Sequence, residues 1–232
     1  MLLFSEGVLF KLGDKLQYKT VLGTACIQIT EKKSKFITYV SYIQNECDAI
    51  DFLDEIKSMH RDARHNVYAY SIGGQNPIQR HSDDGEPTGT GGIPVIEAIK
   101  AKGVEDVIVV VTRYFGGILL GKGGLSRTYA KAAAMGLDAI HVVNKVLCRQ
   151  IIVETEYGQS GKLQGLISEQ GFYIENTNYE HNVKMQILVA VDKIENFIRI
   201  VNDVTDGIAD IKMYDSRYII TEPNGKIISF GH

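Results

Sequence analysis

The chain has 232 residues, of which 44% are apolar and 23% charged, and a formal net charge of −3. That length allows two domains with a core each, and the composition is that of a globular protein. No run approaches the roughly 20 apolar residues of a membrane-spanning helix, and the apolar start lacks the basic region of a signal peptide. Three cysteines, odd in number and far apart, indicate a reducing compartment. We therefore expect a cytoplasmic protein without a membrane partner.

Charge is distributed unevenly along the chain. Residues 16–140 contain 14 basic and 14 acidic residues, whereas residues 147–215 contain 6 basic and 11 acidic residues, a net charge of −5. Because a phosphate backbone is attracted by local positive charge, the C-terminal part is the poorer candidate for nucleic acid. Any RNA contact is expected on the N-terminal part.

Strand and helix patterns alternate in the N-terminal part. Apolar and polar residues alternate on both sides of a charged turn, which predicts a hairpin of residues 25–29 and 36–40. Asn45 is expected to cap a helix that ends near His60, since apolar residues recur at helical spacing between them. Such alternation predicts helices packed on a sheet.

The same alternation continues to residue 140. Strands are expected at residues 66–72 and 107–112, separated by a loop that leads into a short helix. Pro94 suits the first turn of that helix, and Gly103 is expected to end it. A long helix is expected from about Gly124.

A second domain is expected after residues 141–149, which mix polar and apolar types without a helical stripe. The order β-α-β-β-α-β that follows is the ferredoxin-like split β-α-β pattern. A hairpin is expected in the tail after residue 216. The predicted elements are a strand at 151–153, a helix that Gly171 ends, strands at 172–179 and 183–191, a second helix and a strand at 208–214.

Residues 81–129 combine glycines, carboxylates and cations in a way that suits a core poorly. Glycine packs no side chain and is useful where the backbone turns sharply or approaches something closely. We therefore predict a working surface here, with the loops around Asp83, Arg113 and Gly121 converging on one face.

Three motifs, one before this region and two within it, resemble those of the YigZ/IMPACT family, and the likeness runs from about Thr20 to about Asp215. It implies an α+β protein whose first domain is like domain 2 of ribosomal protein S5 and domain IV of elongation factor G. The second, ferredoxin-like domain is then like domain V of elongation factor G. The motifs are Asp62-Ala63-Arg64-His65, Ser82-Asp83-Asp84-Gly85-Glu86-Pro87 with Gly89-Thr90, and Arg113-Tyr114-Phe115-Gly116-Gly117 with Leu119-Leu120-Gly121 and Gly123-Gly124-Leu125.

The resemblance also implies domain limits and a cellular role. We place the IMPACT-like N-terminal domain at residues 18–142, the C-terminal domain at 147–216 and a tail at 217–232. Family members are cytoplasmic, and no enzymatic activity is firmly attached to the family. Its eukaryotic member acts in translational control through protein partners.

The glycines around Lys122 admit two interpretations. Gly116, Gly121 and Lys122 are spaced as in a P-loop, but Gly123 stands where that motif needs a hydroxyl group for magnesium, so we reject an NTPase. The start of the helix at Gly124 is a generic anion site, because it has free N–H groups and the positive end of a dipole. The alternative is that these glycines only allow the helix to pack closely on the sheet.

The acidic loop of residues 81–86 also admits two interpretations. His81 and the three carboxylates of this loop could be assembled into a metal site. We favour a structural interpretation, in which Asp84-Gly85 forms a turn and the carboxylates cap N–H groups or pair with arginines.

The arginines near these motifs are candidates for phosphate contacts. Arg64, His65 and Arg113 could bind phosphates, with Tyr114 stacked on a base. The alternative is that Arg64 or Arg113 neutralises the acidic loop inside the domain.

Together these observations predict a non-enzymatic binding protein in translation or its regulation. Its N-terminal domain is expected to contact structured RNA or the ribosome, and a protein partner in translational control is a further candidate. We assign no catalytic residue, metal ligand or cofactor. One alternative is a small hydrolase that uses the 81–86 loop to activate a metal or water, and another is a protein-interaction module without nucleic acid. The candidate nucleic-acid or partner-binding residues are Arg64, His65, Asp83, Asp84, Glu86, Arg113, Tyr114, Gly121, Lys122, Gly124 and Arg127.

Overall fold

A computed structural model describes residues 15–74 and 77–228. The chain divides into two compact units between Val143 and Asn144. Both units mix helices and strands, so the protein is of the α+β class. Across the described residues, no helix has the length and apolar character that crossing a membrane requires. The N-terminal segment that we judged not to be a signal peptide lies outside the described residues.

The N-terminal unit is built on a five-stranded antiparallel sheet. Its strand order is β2-β3-β6-β4-β5, and β1 (Gln17–Leu22) precedes it in the chain. The strands are β2 (Thr24–Glu31), β3 (Ser34–Tyr42), β4 (His65–Ile72), β5 (Ile78–Ser82) and β6 (Val107–Tyr114).

Helices cover both faces of this sheet. α1 (Glu46–Met59) packs on one face, where Ile108 and Val110 of β6 point. The alternate residues Val109 and Val111 point to the other face, where they meet the apolar sides of two further helices. These helices are α2 (Gly92–Lys102) and α3 (Lys122–Ala139).

Most of the elements predicted in this unit are confirmed. The β2–β3 hairpin turns at Lys32 and Lys33, both of which have positive φ, as a two-residue hairpin turn requires. The Asn45 side chain accepts a hydrogen bond from the Asp48 N–H at 3.0 Å and so caps α1. Gly103 ends α2 in a left-handed conformation.

Two predictions in this unit need correction. α3 begins at Lys122, two residues before the expected start at Gly124. The segment expected to be a loop contains the strand β5, which pairs with β4 at the edge of the sheet. Its residues Gln79, Arg80 and His81 are exposed, so the sequence lacks the apolar alternation that indicates a strand.

The C-terminal unit has the expected order β-α-β-β-α-β. Its antiparallel strands are arranged β10-β7-β9-β8. The apolar sides of both helices join its core. The elements are β7 (His141–Thr155), α4 (Tyr157–Glu169), β8 (Tyr173–Tyr179), β9 (Val183–Ala190), α5 (Ile194–Thr205) and β10 (Asp210–Thr221).

Two strands of this unit are longer than predicted. β7 begins at His141 and not near Ile151, so the segment in which we placed the domain boundary is strand. β10 continues through a bulge after Met213 to Thr221, and it therefore contains the first residues of the predicted tail. A turn then brings Ile227 back to a single bridge with Thr221.

Candidate functional site

A buried ion pair links the acidic loop to β6 and α3. The Arg113 guanidinium donates to Glu86 Oε1 at 2.5 Å, and the Tyr129 hydroxyl donates to the same oxygen at 2.8 Å. The three residues are 6%, 8% and 0% exposed, respectively. Burial, and next the neighbouring Glu86, raise the pKa of Tyr129 far above its ordinary value, so its hydroxyl stays a proton donor. These contacts bring the acidic loop, the end of β6 and α3 together.

The Asp83 carboxylate binds the backbone at the start of α2. It accepts hydrogen bonds at 2.8 Å from the N–H groups of Gly89, Gly91 and Gly92. Burial opposes ionisation of this carboxyl group, but the three N–H donors outweigh it and hold the pKa of Asp83 below its ordinary value. Asp83 therefore fixes the acidic loop to the start of α2, which is the capping role in the structural interpretation.

Asp84 and His65 fasten the same loop to β4. Asp84 Oδ2 accepts from the Asn66 N–H at 2.6 Å, and the Asp84 carbonyl accepts from His65 Nδ1 at 2.8 Å. The Asn66 side chain in turn accepts from Thr112 of β6 at 2.8 Å. His65 of the Asp-Ala-Arg-His motif and its neighbour Asn66 are thus bonded to Asp84 of the acidic loop within the domain.

Tyr114 lies on the other face of the sheet from Arg113, because successive side chains of a strand alternate. Its hydroxyl is hydrogen-bonded to His60 Nδ1 at 2.9 Å, and His60 Nε2 is hydrogen-bonded to the Tyr39 hydroxyl at 2.7 Å. Burial, and next the Cys26 thiol, raise the pKa of Tyr39 to about 12. Tyr114 thus belongs to a cluster at the end of α1 and is separate from the loops that Arg113 joins.

The loop of residues 115–121 packs on the β2–β3 turn and exposes apolar side chains. The Gly116 N–H donates to the Ser34 hydroxyl at 3.0 Å, and a Cβ atom at Gly116 would lie 2.1 Å from the Lys33 carbonyl carbon. Phe115, Ile118 and Leu119 are 46%, 42% and 82% exposed. The loop ends at Gly121, whose φ of 71° is one that glycine adopts without strain.

A groove of about 210 Å³ runs beside this loop, between the β2–β3 turn and α3. Three cations and one carboxylate lie in its wall, so its charge is predominantly positive. The lining residues are Glu31, Lys32, Leu120, Gly124, Arg127, Thr128 and Lys131.

A second cavity, of about 470 Å³, lies between α2 and α3 and has a different character. Its wall is formed by small and apolar residues, with Glu97 as its charged residue. A carboxylate in an apolar wall offers no attraction to phosphate. The groove beside α3 is therefore the better site for an anionic ligand.

The predicted site residues fall into three groups by exposure. Glu86 and Arg113 are buried, while His65, Asp83, Asp84, Tyr114 and Gly124 are half-buried. The exposed ones are Arg64, Gly121, Lys122 and Arg127. Within residues 15–74 and 77–228, no group of three or more histidine, cysteine or acidic side chains could hold a metal ion.

Four residues on or beside the groove and the 115–121 loop were not selected as site residues from the sequence. Lys32 and Lys33 were assigned only to a turn, and Lys131 lies one helical turn beyond Arg127. Phe115 lies two residues after Arg113, a spacing that places both side chains on one face if the strand continues. The spacing along the helix and the strand could therefore have indicated Lys131 and Phe115. That the turn with Lys32 and Lys33 lies beside α3 depends on tertiary packing, which the local sequence does not show.

Comparisons with known proteins agree with the motifs. The model of the Impact N-terminal domain matches residues 32–137, and that of a domain of unknown function, DUF1949, matches residues 153–207. The IMPACT family member YvyE of Bacillus subtilis is 38% identical over 202 residues, which are 87% of this chain and 93% of that protein. The IMPACT family member YigZ of Escherichia coli is 32% identical over 178 residues, which are 76% of this chain and 87% of that one.

The fold also has a counterpart among solved structures. A crystal structure of a hypothetical protein aligns with a TM-score of 0.55 and 27% identity, and the alignment covers 87% of this chain and 98% of the other. The similarity in structure and the similarity in sequence therefore both extend over the two units.

Proposed function

Since this chain belongs to the YigZ/IMPACT family, we propose that it is a non-enzymatic binding protein in translation or its regulation. In this proposal its N-terminal domain contacts structured RNA or the ribosome. The likeness of the two domains to ribosomal protein S5 and elongation factor G, which the family resemblance implies, supports the same role.

The observation that carries this proposal is a set of exposed cations around the glycine-rich loop, which we call the cationic surface. None of its members forms an ion pair with a described residue. Unneutralised cations attract a phosphate backbone, and they release its counterions on binding. The cationic surface consists of Lys32, Lys33, Lys122, Arg127 and Lys131.

Residues 16–140 have a net charge of zero, yet the cationic surface is unpaired among the described residues, because carboxylates elsewhere in the N-terminal unit pair with other cations. Lys100 pairs with Glu97, and Lys102 pairs with Asp138. Arg113 is neutralised internally by Glu86. Three of the 14 carboxylates of residues 16–140 are thus engaged with cations away from the cationic surface.

The candidate binding residues act in two ways under this proposal. Arg64, Lys122 and Arg127 are exposed and contact phosphate directly. The buried and half-buried residues hold the loops in place from within, because their polar groups are bonded to other groups of the same domain. This second group comprises His65, Asp83, Asp84, Glu86 and Arg113.

Binding to ribosomal particles and to a stem-loop RNA across a salt series tests the proposal. Each phosphate contact is expected to contribute about −0.7 to −0.9 to the slope of log affinity against log salt. Arg127→Ala and Lys131→Ala should lower both the affinity and the steepness of the slope. Lys193→Ala and Lys212→Ala, on the acidic C-terminal unit, serve as matched controls and should change neither.

Absence of binding at low salt would refute the proposal, as would binding that is indifferent to Arg127 and Lys131. A protein partner is the second candidate, and the exposed Ile118 and Leu119 favour it. That alternative predicts a complex that survives nuclease treatment.

A further inference from the structure

Phe115 is an exposed aromatic ring with a buried cation beside it. The Arg113 guanidinium carbon lies 5.6 Å from the centroid of the Phe115 ring, which is within cation–π range. The same carbon lies 5.5 Å from the centroid of the buried Phe36 ring. One side of Phe115 is therefore held by the protein, while nearly half of the residue remains accessible to solvent.

The guanidinium that holds Phe115 is itself fixed. Glu86 accepts its Nη1 hydrogen bond, and Tyr129 of α3 bonds the same carboxylate oxygen. Phe36 in turn packs edge-on against Tyr129, with ring centroids 5.2 Å apart. Because these groups are buried, the position of the exposed ring is set before any ligand arrives, which lowers the entropic cost of binding.

The residue after Phe115 packs on the cationic β2–β3 turn. The next residue, Gly116, contacts the backbone of Lys33, and the same turn contributes Lys32 to the groove beside α3. Arg127 and Lys131 form the opposite wall of that groove. A ring with positive charges on its flank matches a ligand that combines a flat π surface with a chain of negative charges.

We propose that Phe115 is a stacking platform for an unpaired nucleobase, and that the cationic surface holds the phosphates of the same RNA strand. This inference rests on the proposed function and narrows it to RNA with unpaired nucleotides. Duplex RNA does not satisfy the site, because its bases are stacked on each other and present no free face.

An apolar protein segment fits this surface less well than RNA does. Docking such a segment would remove Lys32, Lys33 and Arg127 from water without giving them a counter-charge, which is costly. A nucleotide supplies a base to the ring and a phosphate to the cations at once.

The test measures affinity for three probes by fluorescence anisotropy: a stem-loop RNA, the same stem-loop with abasic loop nucleotides, and a fully paired duplex of equal length. The intact stem-loop should bind most tightly. Phe115→Ala should weaken its binding by about 5- to 150-fold, the range for one base stacked on an aromatic residue, and leave the salt slope unchanged. Phe115→Tyr should retain the affinity, because it keeps the ring.

Two controls separate stacking from general apolar contact. Phe115→Leu keeps apolar volume but has no π face, so it should lose affinity as Phe115→Ala does. Ile118→Ala shortens another exposed side chain of the same loop and should bind as the unmodified protein does. Thermal melting of each variant checks that it is folded.

The outcomes distinguish this inference from the function on which it rests. Salt-dependent RNA binding that Phe115→Ala or Phe115→Leu leaves intact would overturn the stacking platform and keep the proposed function. Equal affinity for the stem-loop and its abasic form would do the same. No RNA binding at low salt would overturn both and leave the exposed loop to a protein partner.

Discussion

Arg113 carries a charged guanidinium into the interior of the N-terminal unit, and Glu86 is the group that neutralises it there. A buried charge without its partner is far more costly than an exposed one, since the protein interior solvates it poorly. The Arg-Tyr-Phe and Gly-Glu motifs are therefore coupled through one pair of side chains. Loss of either member affects the position of Phe115 as well as the stability of the domain.

Substitution of Arg113 tests this coupling. Arg113→Ala should reduce the free energy of unfolding by about 3–5 kcal/mol, because it leaves the Glu86 carboxylate buried and unpaired. The double variant Glu86→Gln, Arg113→Met should lose less, since it removes both charges and keeps an amide oxygen for the Tyr129 hydroxyl. Urea denaturation measures both changes.

Arg127→Ala is the matched control, because it removes an exposed arginine from the same domain. Its effect on the free energy of unfolding should stay within about 0.5 kcal/mol. A cost of Arg113→Ala no larger than that of Arg127→Ala would contradict a structural role for the buried pair.

At the scale of elements, the 115–121 loop depends on its contact with the β2–β3 turn. A Cβ atom at Gly116 would lie 2.1 Å from the Lys33 carbonyl carbon and 2.4 Å from the Ser34 backbone nitrogen. These are backbone atoms of a hairpin turn, so they cannot move aside as the end of a flexible side chain would. The close approach of Gly116 to this backbone keeps the neighbouring Phe115 beside the turn that carries Lys32 and Lys33.

Gly116→Ala should therefore force the loop and the turn apart. We expect a loss of about 1–3 kcal/mol in the free energy of unfolding, as for other overpacked sites, and weaker RNA binding. Gly123→Ala is the comparison, because a Cβ there meets nothing nearer than Arg127 Nη1 at 3.9 Å, in the first turn of α3. That change should be neutral or stabilise by up to about 1 kcal/mol, as alanine favours the helix. Equal effects of the two variants would show that the close approach is not required.

Elements in which apolar residues recur at a regular spacing were predicted well from the sequence, and elements without such spacing were not. The helix capped by Asn45 and the β2–β3 hairpin have such a spacing. β5 does not, because it is an edge strand with polar, exposed residues. The first half of β7 was missed for a similar reason, since its burial alternates irregularly.

The candidate site was predictable only in part, because it depends on contacts between distant segments. Glu86 and Tyr129 are 43 residues apart, and nothing in the local pattern indicates that they share a hydrogen bond. The sequence did indicate that the acidic loop could cap N–H groups, since aspartate followed by glycine favours a turn. It could not indicate which arginine would be buried and which exposed.

For the whole molecule, the division between the two units lies within a continuous strand. The described units meet in sequence at Val143 and Asn144, and β7 runs from His141 to Thr155. Residues 144–149 pair with residues 216–221 of β10. A C-terminal fragment therefore needs the chain from Asn144 onward, and not from the strand start expected near Ile151.

Two fragments test this limit. A fragment of residues 144–228 keeps the β7–β10 pairs from Asn144 with Thr221 to Glu154 with Asp210, and it should unfold in one cooperative thermal transition. A fragment of residues 150–228 removes the partners of Ser216 to Thr221. Its free energy of unfolding should be lower by roughly 1–6 kcal/mol, the sum of these cross-strand pairs at roughly 0.2–1 kcal/mol each. Urea denaturation compares the two, and a fragment of residues 15–143 tests the N-terminal unit in the same way. Equal stability of the two C-terminal fragments would refute the proposed limit, and the absence of a cooperative transition in the longer one would refute the independence of the unit.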